Sequence, residues 1–255
     1  MRIPTIDLNA DFGEGFGMYD FGADEALLGS ITSASIACGW HAGDARTMRT
    51  AVERCLRAGV AVGAHPGYPD RQGFGRRAMA LDAEDVYEAV LYQTGALQAF
   101  VHAAGGELRH IKPHGAMYHR CDASLDHADA VAKAAVALGG LALYGPPGGA
   151  LERAALSAGL PFAAEGFADR AYLPDGSLAG RDRPGAVHDE PSRALAQSLA
   201  IAQRGEAPAL GGGFVPVAVR TLCLHGDGPR AAELAALIRA GLESAGVAVA
   251  SPWQP

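Results

Sequence analysis

The sequence predicts an α/β protein of one domain, residues 1–255, folded as a seven-stranded β/α barrel. Three observations predict it. The chain has 255 residues, and barrels of alternating strands and helices reach about 250 residues as one domain. Short apolar runs alternate with helix-length segments, and the alternation recurs seven times. No stretch is rich enough in Pro, Ser or charge to act as a linker. Strands that alternate with helices need right-handed crossovers and a parallel sheet. Seven such units without an inserted second domain favour closure over a doubly wound open sheet. The first strand is not followed by a G-x-G-x-x-G turn, which weakens the dinucleotide-binding form of the open sheet.

The expected strands are residues 3–9, 34–38, 60–64, 109–112, 141–144, 162–167 and 221–224. Helical patterns rich in Ala, Leu, Glu and Arg occupy 44–58, 83–104, 125–138, 150–158, 191–204 and 229–245. Asp82, with Asp85 three residues on, caps the helix that starts at 83, and Gly59, Gly105 and Gly246 end three others. Two segments interrupt the rhythm. Residues 67–77 (GYPDRQGFGRR) form a glycine-rich basic loop after the third strand, and 171–213 hold a turn-rich stretch, a helix and three consecutive glycines. Loops this long in a compact domain are more often functional than filler.

Composition removes several classes of function. Apolar residues make up 49% of the chain, too many for a disordered protein. Twenty-one Lys and Arg against 28 Asp and Glu give a formal charge of −7, which argues against a nucleic-acid partner. The four cysteines, Cys38, Cys55, Cys121 and Cys223, form no C-x-x-C pair, so neither a zinc ribbon nor a disulfide scaffold is expected. Cys38 and Cys223 read as small core residues. A reduced, cytoplasmic setting follows. Six acids within the first thirty residues speak against a signal peptide. The uncharged stretch 134–151 is broken by Gly and Pro, so no membrane association is expected.

Barrel enzymes carry their chemistry at the C-terminal strand ends. Strand one ends Asp7-Leu8-Asn9-Ala10-Asp11. Side chains two apart share a face, so Asp7, Asn9 and Asp11 point inward together, with Glu14 just beyond. Such groups are expensive to bury without cations or substrate. His41, His65, His114 and His225 lie at or just after strand ends, each within two residues of a glycine. Strand four ends with Lys112 and His114 on one face, strand six carries Glu165, Asp169 and Arg170, and strand seven leads to His225 and Asp227. Lys112, between Ile111 and Pro113, needs an anionic partner or ligand. There is no serine nucleophile elbow and no Walker lysine loop. Carboxylates, imidazoles and cations together suit hydrolysis or phosphoryl transfer. Lys112, Arg76, Arg77 and Arg170 would offset negative charge. Asp11 with His41 and His65 could also make a mixed N/O site for a divalent metal.

The segments DLNADFGEG at 7–15 and IACGWHAGD at 36–44 resemble the opening signatures of the LamB/YcsF family. GAHP at 63–66, GFGRR at 73–77, KPHGA at 112–116, FADRAY at 167–172 and LHGD at 224–227 continue the resemblance in order along the whole chain. It implies a TIM-like, deacetylase-like barrel that opens 5-oxo-L-proline to L-glutamate, with ATP, accompanied by Mg²⁺, hydrolysed to ADP and phosphate. It also implies partner subunits B and C, and leaves a homo-oligomer open. Asp7, Asn9, Asp11, Glu14, His65, Lys112 and His114 are then the catalytic candidates, with Asp11 or Glu14 as general base and His65 or His114 as proton shuttle. Arg76, Arg77, Glu165, Asp169, Arg170, His225 and Asp227 would contact substrate or phosphate. The competing readings are a metal-dependent deacetylase or amidohydrolase on the same barrel and a non-catalytic binding subunit.

Overall fold

The computed structural model describes residues 4–19, 24–188, 190–224 and 230–253. In chain order the first half contains β1 (Thr5–Phe12), α1 (Asp24–Leu27), β2 (Ser33–Ala37), α2 (Ala45–Ala58), β3 (Ala61–His65), α3 (Ala83–Ala103), β4 (Leu108–Ile111) and α4 (Gly115–Ala123). The second half contains α5 (Leu125–Ala137), β5 (Ala142–Gly145), α6 (Ala150–Ser157), β6 (Phe162–Phe167), α7 (Pro191–Arg204), β7 (Glu206–Pro208), β8 (Phe214–Pro216), β9 (Thr221–Leu224), α8 (Ala231–Ser244) and β10 (Ala248–Val249).

β1 to β6 pair in sequence order and β6 pairs with β9. β9 then returns to β1, from Asp7↔Thr221 to Ala10↔Leu224, and closes a barrel of seven parallel strands. β10 lies parallel to the start of β1, and β7 and β8 form a separate antiparallel hairpin. The expected strands are all present. β1 runs on to Phe12 because Ala10, Asp11 and Phe12 keep pairing with β2, so Asp11 belongs to the strand itself.

Five elements, α1, α4, β7, β8 and the two-residue β10, escaped the pattern. α4 is polar around much of its surface and buries only Met117, Tyr118 and Cys121, so its period is faint. The β7–β8 hairpin and the single turn of α1 are too short to show a period. The expected helix ends hold. Asp82 and Asp85 form a reciprocal capping box, and Gly59, Gly105 and Gly246 all adopt positive φ at or just after their helix ends.

The outward residues of β1, Ile6, Leu8, Ala10 and Phe12, are buried beneath the helices. α2 answers with Met48, Ala51, Val52 and Cys55, one helical face at spacings of three and four. The interior of the barrel is polar instead. Asp7, Asn9, Ser33, Ser35, His110, Lys112, Glu165 and Thr221 are all at most 2% exposed. That departs from the branched aliphatic layers usual inside such barrels. Gly63 makes one of these layers possible, because a Cβ there would overlap the His110 ring. His110 therefore lies across the interior, stacked on Tyr144 at 4.0 Å, with Nε2 3.1 Å from Ser35 Oγ. Burial holds the His110 pKa well below the usual imidazole range. No helix among the described residues is long and apolar enough to cross a membrane.

Candidate active site

The polar interior is one connected stack that rises toward the C-terminal strand ends. At its base, Asp7 accepts from Thr221 Oγ1 (2.6 Å), Thr32 Oγ1 (2.6 Å), Ser33 Oγ (2.8 Å) and Tyr144 OH (3.1 Å). Burial raises the Asp7 pKa, and these four hydroxyls oppose the rise. Thr221 gives its proton to Asp7, so its oxygen accepts from Asn9 Nδ2 at 2.7 Å. Asn9 Nδ2 also reaches Glu165 Oε1 at 2.9 Å, and Asn9 Oδ1 accepts from Lys112 Nζ at 2.9 Å.

Lys112 is the junction. Its Nζ lies 2.6 Å from Asp11 Oδ1, 3.2 Å from Glu165 Oε1 and 3.4 Å from Cys223 Sγ. Burial alone would lower the Lys112 pKa, but the neighbouring Asp11 and Glu165 charges raise it well above its ordinary value. Glu165 Oε2 accepts from Tyr118 OH at 2.8 Å. Above Lys112 opens a cavity of about 550 Å³. Arg76, Arg120, Arg170 and Arg181 supply guanidinium groups to its wall, while its carboxylates are Asp11 and Glu165, both in contact with Lys112. The wall is therefore cationic and suits an anionic ligand.

Beside Asp11 a second group converges. One ligand atom from each of Glu14, His41, His65 and His114 lies within 4.8 Å of the others, and all four residues are buried. His41 stacks on His114 with ring centroids 3.8 Å apart. Burial and His65 hold the His114 pKa down to about 3, and burial, His114 and His65 hold His41 well below its usual value. Both rings are neutral near pH 7. The 67–77 loop builds their housing. Phe74 packs edge-on to both rings, and its carbonyl accepts from His114 Nε2 at 2.8 Å. Gly75 follows at φ 64°, where a Cβ would sit 2.8 Å from His114 and His41.

Asp11, His65, Lys112, His114, Arg76, Glu165 and Arg170 meet at the cavity, as the sequence predicts. Asn9 lies directly beneath them. Glu14 and His41 stand behind the His65–His114 wall. Asp7, Arg77 and Asp169 do not line the cavity. Asp7 belongs to the base of the stack and does not line the cavity, because it lies four residues, about 13 Å of strand, below Asp11. Arg77 does not line it either. Its Nε lies 3.0 and 2.9 Å from the two Asp70 oxygens, so it ties the loop together. Asp11 touches the His41–His65 group at its edge, 3.2 Å from His65 Nε2 and 2.6 Å from Lys112 Nζ, while Glu14 and His114 join that group. Asp169 is buried off the cavity wall, and its carbonyl accepts from His188 N–H at 2.8 Å. His225 and Asp227 lie outside the described residues.

The structure adds Thr221, Tyr118, Arg120, Arg181 and Cys223. Cys223 is buried as expected of a core residue, yet it lines the cavity. Strand alternation places Thr221 and Cys223 on one face, so that signal was present in the sequence. Tyr118 follows His114 by one helical turn, a spacing that shows only once α4 is known.

A closed β/α barrel whose buried charges rise to a cationic cavity at the C-terminal rim has the layout of a barrel enzyme for an anionic ligand. The chain belongs to the LamB/YcsF family, whose model matches residues 6–254. It is 52% identical over 248 residues to the 5-oxoprolinase A subunit of Methylococcus capsulatus, with 97% of this chain and 95% of that protein covered. It is 51% identical over 251 residues to the 5-oxoprolinase A subunit of Symbiobacterium thermophilum, with 98% and 96% covered. Among solved structures it resembles the lactam utilization protein of Thermus thermophilus, at a TM-score of 0.92 and 45% identity, covering 96% of this chain and 99% of that one.

Proposed function

We propose that residues 1–255 act as one domain that opens 5-oxo-L-proline to L-glutamate, with ATP hydrolysed to ADP and phosphate, as the A subunit of a 5-oxoprolinase that also has subunits B and C. The observation that carries this reading is the Lys112 ammonium, buried between Asp11 and Glu165 beneath a cavity walled by arginines. The similarity to proteins named as 5-oxoprolinase A subunits supports it. A setting in the cytoplasm, where ATP is available, accords with it.

The chemistry explains the need for ATP. A five-membered lactam is a nearly unstrained, resonance-stabilised amide, so water opens it slowly and with little driving force. Transfer of a phosphoryl group to the lactam oxygen turns that oxygen into a leaving group. The cationic wall fits both the substrate carboxylate and the transferring phosphoryl, with Mg²⁺ arriving on the ATP phosphates. Lys112 is placed to offset the negative charge that develops on the lactam oxygen. Asp11, on the cavity wall, is better placed than Glu14 to take a proton from the attacking water. His65 or His114 hands a proton to the departing ring nitrogen. The test is ATP-dependent release of glutamate from 5-oxoproline, measured with and without subunits B and C. No glutamate under either condition would overturn the reading.

The Glu14–His41–His65–His114 group favours a second reading, a metal-dependent amidohydrolase. That enzyme would turn over without ATP and stop on treatment with a chelator.

A further inference from the structure

His65 and His114 meet through the wrong atoms for a hydrogen bond. His65 Nδ1 lies 2.6 Å from the Lys112 carbonyl oxygen, and His114 Nε2 lies 2.8 Å from the Phe74 carbonyl oxygen. A carbonyl only accepts, so each of these nitrogens carries the ring proton. The other nitrogens, His65 Nε2 and His114 Nδ1, then present lone pairs, yet they face each other at 3.0 Å. Asp11 Oδ1, paired with Lys112, stands 3.2 Å from the same His65 nitrogen. Glu14 Oε1 is 3.7 Å from His114 Nδ1 and 3.3 Å from His41 Nε2. The His65 and His114 lone pairs are thus aimed at each other beside two carboxylates, an arrangement that suits a cation between them.

A proton on His65 Nε2 would bridge to His114 Nδ1 and Asp11, but it would leave unused the convergence of Glu14 and His41 on the same two rings. A metal ion takes all four at once. We infer that Glu14, His41, His65 and His114 bind one divalent transition-metal ion of the Zn²⁺ or Co²⁺ class in the wall of the cavity. Three imidazoles and one carboxylate suit such borderline ions, whereas Mg²⁺ prefers oxygen ligands. The carbonyls of Lys112 and Phe74 are the outer partners that fix the ring tautomers, the usual companions of metal-binding histidines. His65 and His114 line the cavity, so the ion would polarise an amide oxygen bound there. The inference does not depend on 5-oxoproline being the substrate, and glutamate release tests that separately.

The experiment uses the full chain, stripped with chelator and titrated with ZnCl₂ by calorimetry and with CoCl₂ by visible absorption. One equivalent should bind, the cobalt form should show the d–d bands of a nitrogen-rich site, and millimolar Mg²⁺ should not compete. His65→Ala and His114→Ala should each weaken binding by about 100-fold, while His102→Gln, exposed at the end of α3, should change nothing. If the alanine variants fail to fold, the stoichiometry and cobalt spectrum of the unaltered chain decide the matter. Absence of stoichiometric uptake by that chain, or uptake that survives both folded histidine variants, overturns the inference.

Discussion

Lys112 Nζ lies 2.6 Å from Asp11 Oδ1 at the floor of the cavity, with the lysine side chain 3% exposed. Glu165 shares the same ammonium at 3.2 Å, so removal of the cation strands two carboxylates. From the sequence alone, Lys112→Ala should greatly reduce turnover and leave folding intact. The structure changes the second half of that expectation. Breaking a buried pair by deleting one partner costs about 3–5 kcal/mol. Lys112→Met, which keeps the volume, should therefore lose both activity and several degrees of Tm. Adding Glu165→Gln should restore part of the Tm and none of the glutamate release. Full thermal stability in Lys112→Met would refute this balance of buried charge.

Thr221 ties the base of the stack to its top. Its hydroxyl donates to Asp7 and accepts from Asn9, so the Asn9 amide turns its oxygen toward Lys112. Thr221→Val removes that acceptor and a donor to Asp7 and leaves one buried Asn9 N–H unsatisfied, at about 1–3 kcal/mol. With Lys112 less well oriented, kcat should fall more than KM changes. Thr221→Ser should restore both. A loss of stability with unchanged kcat in the folded fraction would limit Thr221 to a structural role.

The same stack shows what the sequence reveals and what it withholds. A period of two puts Asp7, Asn9 and Asp11 on one face, and the structure agrees. Height within the barrel depends on pairing register with β2 and β9, which a single strand does not carry. Asp7 and Asp11 are therefore indistinguishable by pattern, although one sits in a closed hydroxyl cage and the other in the cavity. Arg76 and Arg77 differ by one position and go separate ways because the backbone of the 67–77 loop aims them. The histidines were legible at their strand ends. Their grouping with Glu14 was not, since it joins the segment after β1 to three other strand ends across the rim.

The Asp70–Arg77 pair makes the loop sensitive to acid. The Arg77 guanidinium holds the Asp70 pKa at about 2, below the ordinary 3.8. A lowered carboxyl pKa stabilises the folded state fully above the unfolded value, and the contribution fades as pH falls through the folded one. The Tm difference between the unaltered chain and Asp70→Asn should thus be constant from pH 7 to 5 and shrink between about pH 4 and 2. A difference that does not vary with pH would mean that the asparagine acts through packing rather than charge.

Arg170 offers the sharpest test of substrate choice. It is 7% exposed and lines the cavity; Nη2 donates to the Ala179 carbonyl at 2.6 Å, and Nε has no hydrogen-bond partner among the described residues. Burial first, then the neighbouring Arg181, lower its pKa, so this cation gains from an anionic ligand. The α-carboxylate of 5-oxoproline is such a ligand, and 2-pyrrolidinone is the same ring without it. A hydrogen bond to a charged group contributes about 1.5–3 kcal/mol, roughly 10- to 100-fold in an equilibrium constant. Arg170→Met should therefore raise KM for 5-oxoproline by about that factor, while the slow opening of 2-pyrrolidinone stays where it was. An equal loss on both lactams would assign Arg170 to the phosphoryl group, which the two reactions share, and remove it from carboxylate recognition.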